Sequence, residues 1–141
     1  LTVVPAFHAY MSTSETNPGP HHTYIFDQVV INIGGNYNHH TGIFTATESG
    51  VYVFSWTVFC YDGSVFDARL IKNSNVVGGI VCRSIYNPSE YNFLNSASSV
   101  VVVQLYSGDV VYVRTHPHDF IHGNIYSYDN SRTSFSGWKI I

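Results

Sequence analysis

The chain has 141 residues, the size of a single domain, and is long enough to bury about two-thirds of its unfolded surface, so a disulfide framework is not obligatory. Charged residues make up 11% against roughly 25% in ordinary globular domains, aromatics reach 16%, and the net charge is −3 with only six Lys and Arg. That balance excludes a basic stripe for neutralising phosphates and a polybasic membrane contact.

In chain order, short runs rich in Val, Ile, Tyr and Phe predict strands at 6–11, 24–32, 42–44, 50–61, 66–72, 75–83, 92–105, 109–115 and 134–140. Turn residues separate them in the segments 13–22, 34–40, 62–65, 84–91 and 117–132, the last with a short strand near 123–126. No segment has a helical period. Many short strands without helices predict a two-sheet sandwich or a barrel. Val100 to Val103 and Val110 to Val113 are apolar on both faces, which predicts a second covered side: an assembly interface or an overlying loop. The longest apolar stretches are too short to span a bilayer as a helix. Leu1 to Pro5 does not read as a signal peptide, and no Gly-x-y repeat is present.

Eight histidines cluster as His21-His22, His39-His40, and His116-Pro117-His118 with His122. In an extended segment His116 and His118 share a face, and neutral imidazoles suit zinc or copper. No zinc-type ligand spacing or Asp-x-Asp-x-Asp-Gly calcium loop accompanies them, so the expectation is no metal. No Gly-x-Ser-x-Gly elbow, carboxylate pair or Cys-His arrangement is present, and Asp109 after Gly108 reads as a turn cap, so no enzyme activity is expected.

Ligand recognition has better support. Aromatic faces suit the C–H surfaces of sugars, and planar polar side chains suit their hydroxyls. Four loop sets carry both: Tyr37, Asn38, His39 and His40; Tyr61, Asp62 and Ser64; Tyr86, Asn87, Glu90, Tyr91 and Asn92; and His116, His118, Asp119, His122, Asn124, Tyr126, Tyr128, Asp129 and Arg132. Tyr, Ser, Asn and Gly are what adaptable recognition loops use, and they are also ordinary turn residues. Arg132 can pair with a carboxylate such as that of an acidic glycan.

A ladder runs Phe26, Asn32, Tyr37, Phe44, Gly50, Tyr52, Phe54, Trp56. Its spacing resembles the signature of the globular head of the complement C1q family throughout, with Trp56 where the family usually has Phe or Tyr. Ala6-Phe7, Thr41-Gly42-Ile43-Phe44-Thr45, Lys72-Asn73, the segment from Leu105 to Val113, and Phe135-Ser136-Gly137-Trp138 resemble further family blocks in the family's order. The resemblance implies a ten-strand jelly roll of two antiparallel sheets packed as a homotrimer. It also implies a secreted head with a lectin-like innate-immune role, binding glycans or microbial surface polysaccharide. Its alternatives are a matrix trimerisation domain and a cytokine-like receptor ligand. The two tryptophans mark where the core departs from its relatives. Family calcium sites use an acidic residue where this chain has Arg83, so calcium is not expected. Some members carry a disulfide with one partner near Cys82. Cys60 lies upstream of the expected first partner, so Cys60 and Cys82 are either bridged or two buried thiols.

Overall fold

The computed structural model describes residues 3–86, 88–89, 94–118 and 121–141. No helix occurs among them, and so none long and apolar enough to cross a membrane. The strands are β1 (Ala6–Tyr10), β2 (Glu15–Thr16), β3 (Gln28–Ile33), β4 (Tyr37–Asn38), β5 (Ile43–Thr45), β6 (Gly50–Tyr61), β7 (Val65–Lys72), β8 (Asn75–Arg83), β9 (Leu94–Leu105), β10 (Val110–Arg114), β11 (Ile121–His122), β12 (Asn124–Tyr126) and β13 (Ser134–Lys139).

They form two antiparallel sheets. The first runs β2-β12-β6-β13-β1-β3 with β9 on the other edge of β6, and the second runs β11-β7-β10-β5-β4 with β8 on the other edge of β7. This is the expected jelly roll with three further two-residue pairings, at β2, β4 and β11. The expected strand 24–32 is divided. Tyr24 N–H donates to the Val113 carbonyl beside the second sheet, whereas β3 pairs β1 in the first. Tyr24 and Phe26 point into the core as the chain crosses between layers, so apolar alternation continues through a segment that is not one strand.

The ladder residues Tyr52, Phe54 and Trp56 alternate inward along β6 and are buried. Around them the rings of Phe7 and Tyr37 stack at 4.7 Å, Phe7 meets Phe135 edge-on at 5.0 Å, and Phe44 meets Phe54 at 5.3 Å. Offset and edge contacts of this kind add to the area the rings bury. Asn32 closes the turn at Gly34-Gly35, donating from Nδ2 to the Tyr37 carbonyl at 2.8 Å and accepting from Tyr37 N–H at 3.2 Å. That clamp explains the spacing of these two rungs.

Trp56 is accommodated by Gly78 on β8, where a Cβ would come within 2.9 Å of the indole and 2.6 Å of Val101 Cγ2. The indole N–H donates to the Ala68 carbonyl at 3.0 Å. Trp56 is thus a core residue seated in a notch of β8. Trp138 is not: it is 42% exposed on the outer face of β13, and its neighbour Gly137 faces inward.

Cys60 on β6 and Cys82 on β8 are bridged, with Cα atoms 6.0 Å apart, which ties the two sheets together at one end. The valine strands differ from each other. Val111 and Val113 of β10 are buried, while Val100 and Val102 of β9 are 62% and 64% exposed on the outer face of the first sheet. Ile31, Ile33 and Trp138 are also exposed on strands of that sheet.

Two stability predictions follow from these contacts. A Cβ at Gly137 would lie 2.6–2.7 Å from ring atoms of Phe54 and Phe7. Gly137→Ala should therefore destabilise by about 1–3 kcal/mol through overpacking, read as a lower urea midpoint at unchanged slope. The bridge closes a separation of 22 residues, so Cys60→Ser/Cys82→Ser should cost about 3 kcal/mol in the same assay. A midpoint unmoved by the double substitution would refute the inter-sheet staple.

Candidate ligand-recognition surface

Among the described residues, the structure brings Tyr61, Asp62 and Ser64 of the second set, Tyr86 of the third and Asn124 and Tyr126 of the fourth together at one end of the sandwich. β10 is followed by Thr115, whose hydroxyl accepts from His22 N–H at 2.8 Å and donates to the Gly19 carbonyl at 2.9 Å. His21 N–H donates to the His116 carbonyl, so the segment 19–22 is fastened to the segment after β10. Asn17 N–H reaches the Gly123 carbonyl at 3.2 Å and Asn124 Oδ1 at 3.1 Å. Asn124 N–H donates to Ser64 Oγ at 3.0 Å, which joins β12 to the turn between β6 and β7. A cleft of about 230 Å³ opens there, lined by Asn17, Gly19, Ile121, His122 and Gly123.

At the same end the half-buried rings of Tyr61 and Tyr126 stack at 5.4 Å with an 18° tilt. Asp62, in a left-handed turn at φ 31°, has a buried Oδ1 without a hydrogen-bond partner among the described residues. Tyr86 is exposed, and its Cβ lies near Gly63 in the same turn. His122 is exposed, as is His118, whose N–H donates to His116 Nδ1 at 3.0 Å. The His116 and His118 rings stand 6.2 Å apart at 63°. Among the described residues no group of three or more His, Cys, Asp or Glu is placed to hold a metal ion.

Other predicted residues lie elsewhere. Tyr37 is a correction: it is 3% exposed, with its hydroxyl donating to the Phe26 carbonyl at 2.8 Å and accepting from Phe26 N–H at 3.1 Å. Burial pushes its phenol well up, and its role is to pin the core. Its loop neighbours His39 and His40 are exposed, with rings 4.0 Å apart. Ser64 is likewise buried, a scaffold residue. Tyr128 and Asp129 are exposed in a hairpin closed by the bridge from Tyr128 to Ser131. Arg132 stacks its guanidinium 4.0 Å over the Tyr10 ring. Asn87, Glu90, Tyr91, Asn92 and Asp119 lie outside the described residues. Asp109 behaves as a turn cap, accepting from Tyr106 N–H at 2.8 Å and from Asn73 Nδ2 at 3.1 Å.

The loop-centred reading passed over the outer face of the second sheet. Asp67, Arg69 and Arg114 sit there inside strands rather than in loops. The available signal was the spacing of two between Asp67 and Arg69 in β7, which puts both on one face.

A two-sheet jelly roll with a loop-built end defines the class of this molecule. The chain belongs to the C1q domain family, whose model matches residues 6–140. The globular domain of zebrafish complement 1qA superposes with a TM-score of 0.64 at 20% identity, covering 98% of each chain. Murine APRIL at pH 5.0 gives 0.69 at 16% identity, covering 97% of this chain and 99% of that one. Eiger TNF from S. frugiperda gives 0.64 at 17% identity, covering 99% and 94%. At these identities the likeness establishes the shared fold.

One titration is built into the first sheet. His8 of β1 is half-buried and hydrogen-bonds Ser136 Oγ through Nδ1. Burial, then the Arg132 guanidinium, lower its pKa from 6.5. The folded state thus binds this proton less tightly than the unfolded chain. Stability should be full above about 6.5 and fall as pH drops from 6.5 through the lowered folded value. Chemical denaturation between pH 5 and 8 should show this slope in the wild type and a flatter one in His8→Asn; equal slopes would exclude His8 as the source.

Proposed function

We propose that this chain is the recognition head of a secreted, non-enzymatic, lectin-like protein that binds glycans or microbial surface polysaccharide as a trimer. The observation that carries the reading is that described members of three sequence-distant loop sets meet at one end of the sandwich: Asn124 on Ser64, Tyr86 beside Gly63, and the Tyr61 ring stacked on Tyr126. Such a surface offers aromatic faces for sugar C–H groups. The exposed His122 supplies a polar partner for hydroxyls. The Cys60–Cys82 bridge suits an oxidising, extracellular compartment.

Trimeric assembly is supported by the outer face of the first sheet. Val100, Val102, Ile31, Ile33 and Trp138 are all exposed in the single chain, an apolar content that favours a partner surface. Three heads presented together raise weak single-site binding by roughly 10² to 10⁴. A matrix-trimerisation role would use the same face, and the loop substitutions below separate the two readings.

Glycan arrays probed with the purified protein should retain it. Tyr126→Ala and His122→Ala should each weaken retention about tenfold or more, while light scattering gives a mass near three times 15.8 kDa for all three proteins. Retention on no glycan between pH 5 and 8, with or without calcium, would overturn the recognition reading, and a 15.8 kDa particle would overturn the trimer.

A further inference from the structure

The outer face of the second sheet carries a small grid of side chains. In one row Arg114 of β10 stands directly opposite Arg69 of β7, and Arg69 stands opposite Gly79 of β8. In the next, His116 N–H donates to Asp67 Oδ1 at 2.6 Å, and Asp67 stands opposite Val81. A cavity of about 200 Å³ opens over this grid, lined by Asp67, Arg69, Gly79, Ile80, Val81 and His116.

Three features of the grid are unexplained by the fold. Like charges directly opposite on paired strands repel, yet neither Arg69 nor Arg114 has an ion-pair partner among the described residues. Arg114 Nε is buried without a hydrogen-bond partner among the described residues, while its Nη1 donates to the Tyr112 hydroxyl at 3.3 Å and its guanidinium lies 5.6 Å from the Tyr112 ring. Asp67 is 4% exposed, accepts from His116 N–H through Oδ1, and still forms part of the cavity wall. A carboxylate and a guanidinium thus line the same cavity. Gly79 keeps the space open: a Cβ there would meet only Arg69 Cγ, at 3.9 Å.

We infer that this cavity binds the acidic sugar residue of a glycan. The anionic group pairs with the Arg69 guanidinium at the cavity wall, with Arg114 directly across from it, hydroxyls donate to the Asp67 carboxylate, and the ring lies on Val81. The paired arginines call for an anion. A bare anion would meet the Asp67 carboxylate as like charge, whereas a hydroxylated one can donate to it. The volume limits the occupant to about one monosaccharide. This inference rests on the glycan reading above and names the class of glycan; it also moves the carboxylate partner from Arg132, which is engaged on Tyr10, to Arg69.

Retention should be measured on immobilised polygalacturonate (carboxylate), heparin (sulfate) and neutral galactan, for the wild type, Arg69→Gln, Gly79→Val and the loop variant Tyr126→Ala. Gly79 has no positive φ and only a distant neighbour, so valine there fills the cavity with the fold intact, checked by an unchanged melting temperature. The expected result is at least tenfold loss on an acidic polymer for both grid variants, with binding to neutral galactan unchanged. Which acidic polymer is retained distinguishes carboxylate from sulfate. Free galacturonate should compete at concentrations where inorganic sulfate does not. Wild-type retention on galactan but on neither acidic polymer would overturn this inference while leaving the glycan reading standing. So would full retention of acidic polymer by Gly79→Val, or sulfate competing as well as galacturonate. Acidic-polymer binding that is lost in the grid variants but untouched in Tyr126→Ala would support the cavity and count against the loop cleft. No retention of any polymer would overturn both.

Discussion

The rings of Phe7, Phe54 and Phe135 meet on the inner face of the first sheet, where Gly137 carries no side chain. β1, β6 and β13 contribute one ring each, and all three strands belong to the first sheet. Phe44 and Tyr37, from the second, close over them. A close-packed interior of this kind admits little displacement. The spacing of the two layers at this point therefore sets the register in which both sheets run outward. Trp56 in its Gly78 notch extends the same contact along β6, and the Cys60–Cys82 bridge ends it. β6 and β8 are thus held at a fixed separation at the end where the loop sets emerge.

That rigidity gives the loops their geometry. Thr115, Ser64 and Ser127 are buried hydroxyls at strand ends, and each ties one loop to another. Ser127 Oγ donates to the Met11 carbonyl at 2.6 Å and accepts from Thr133 N–H at 3.2 Å, while Ser64 and Thr115 receive backbone N–H groups from Asn124 and His22. A buried hydroxyl that bridges two backbones satisfies groups that water would otherwise serve. The side chains at the cleft rim thus stand on segments secured at their bases.

The ladder from Phe26 to Trp56 was legible because each rung does one local job: inward ring, turn clamp or close approach. Such jobs leave fixed spacings. Tyr37 shows the limit, because an aromatic beside Asn and His looks the same in sequence whether it faces solvent or the core. Its burial depends on Phe7, thirty positions earlier in the chain. The run from Tyr24 to Asn32 kept its alternation while changing sheets, so period alone read one strand where there is a crossing. The disulfide was undecidable for a similar reason, since it joins β6 to β8 across the layers. Loop composition singled out the segments proposed for recognition, but how they meet is tertiary. Asp67 and Arg69 were missed because charges within a strand read as solvated surface, and only the register with Arg114 and Gly79 reveals what they face.

The two outer faces of the sandwich divide the chemistry. Exposed valines, isoleucines and a tryptophan lie on the first sheet, and the arginine pair with its buried carboxylate lies on the second. A chain with 11% charged residues does not hold that charge evenly. Part of the deficit is the apolar first-sheet face, which gains from being covered, since each apolar Å² removed from water contributes roughly 25 cal/mol. The faces are opposite sides of one sandwich, so an assembly that covers the first sheet leaves the second open to solvent. Under the proposed assembly the cavity over Asp67 and Arg69 would stay open while copies gather on the first sheet, as avidity requires. A head whose apolar and charged residues were mixed on both faces would bury part of its recognition surface on assembling.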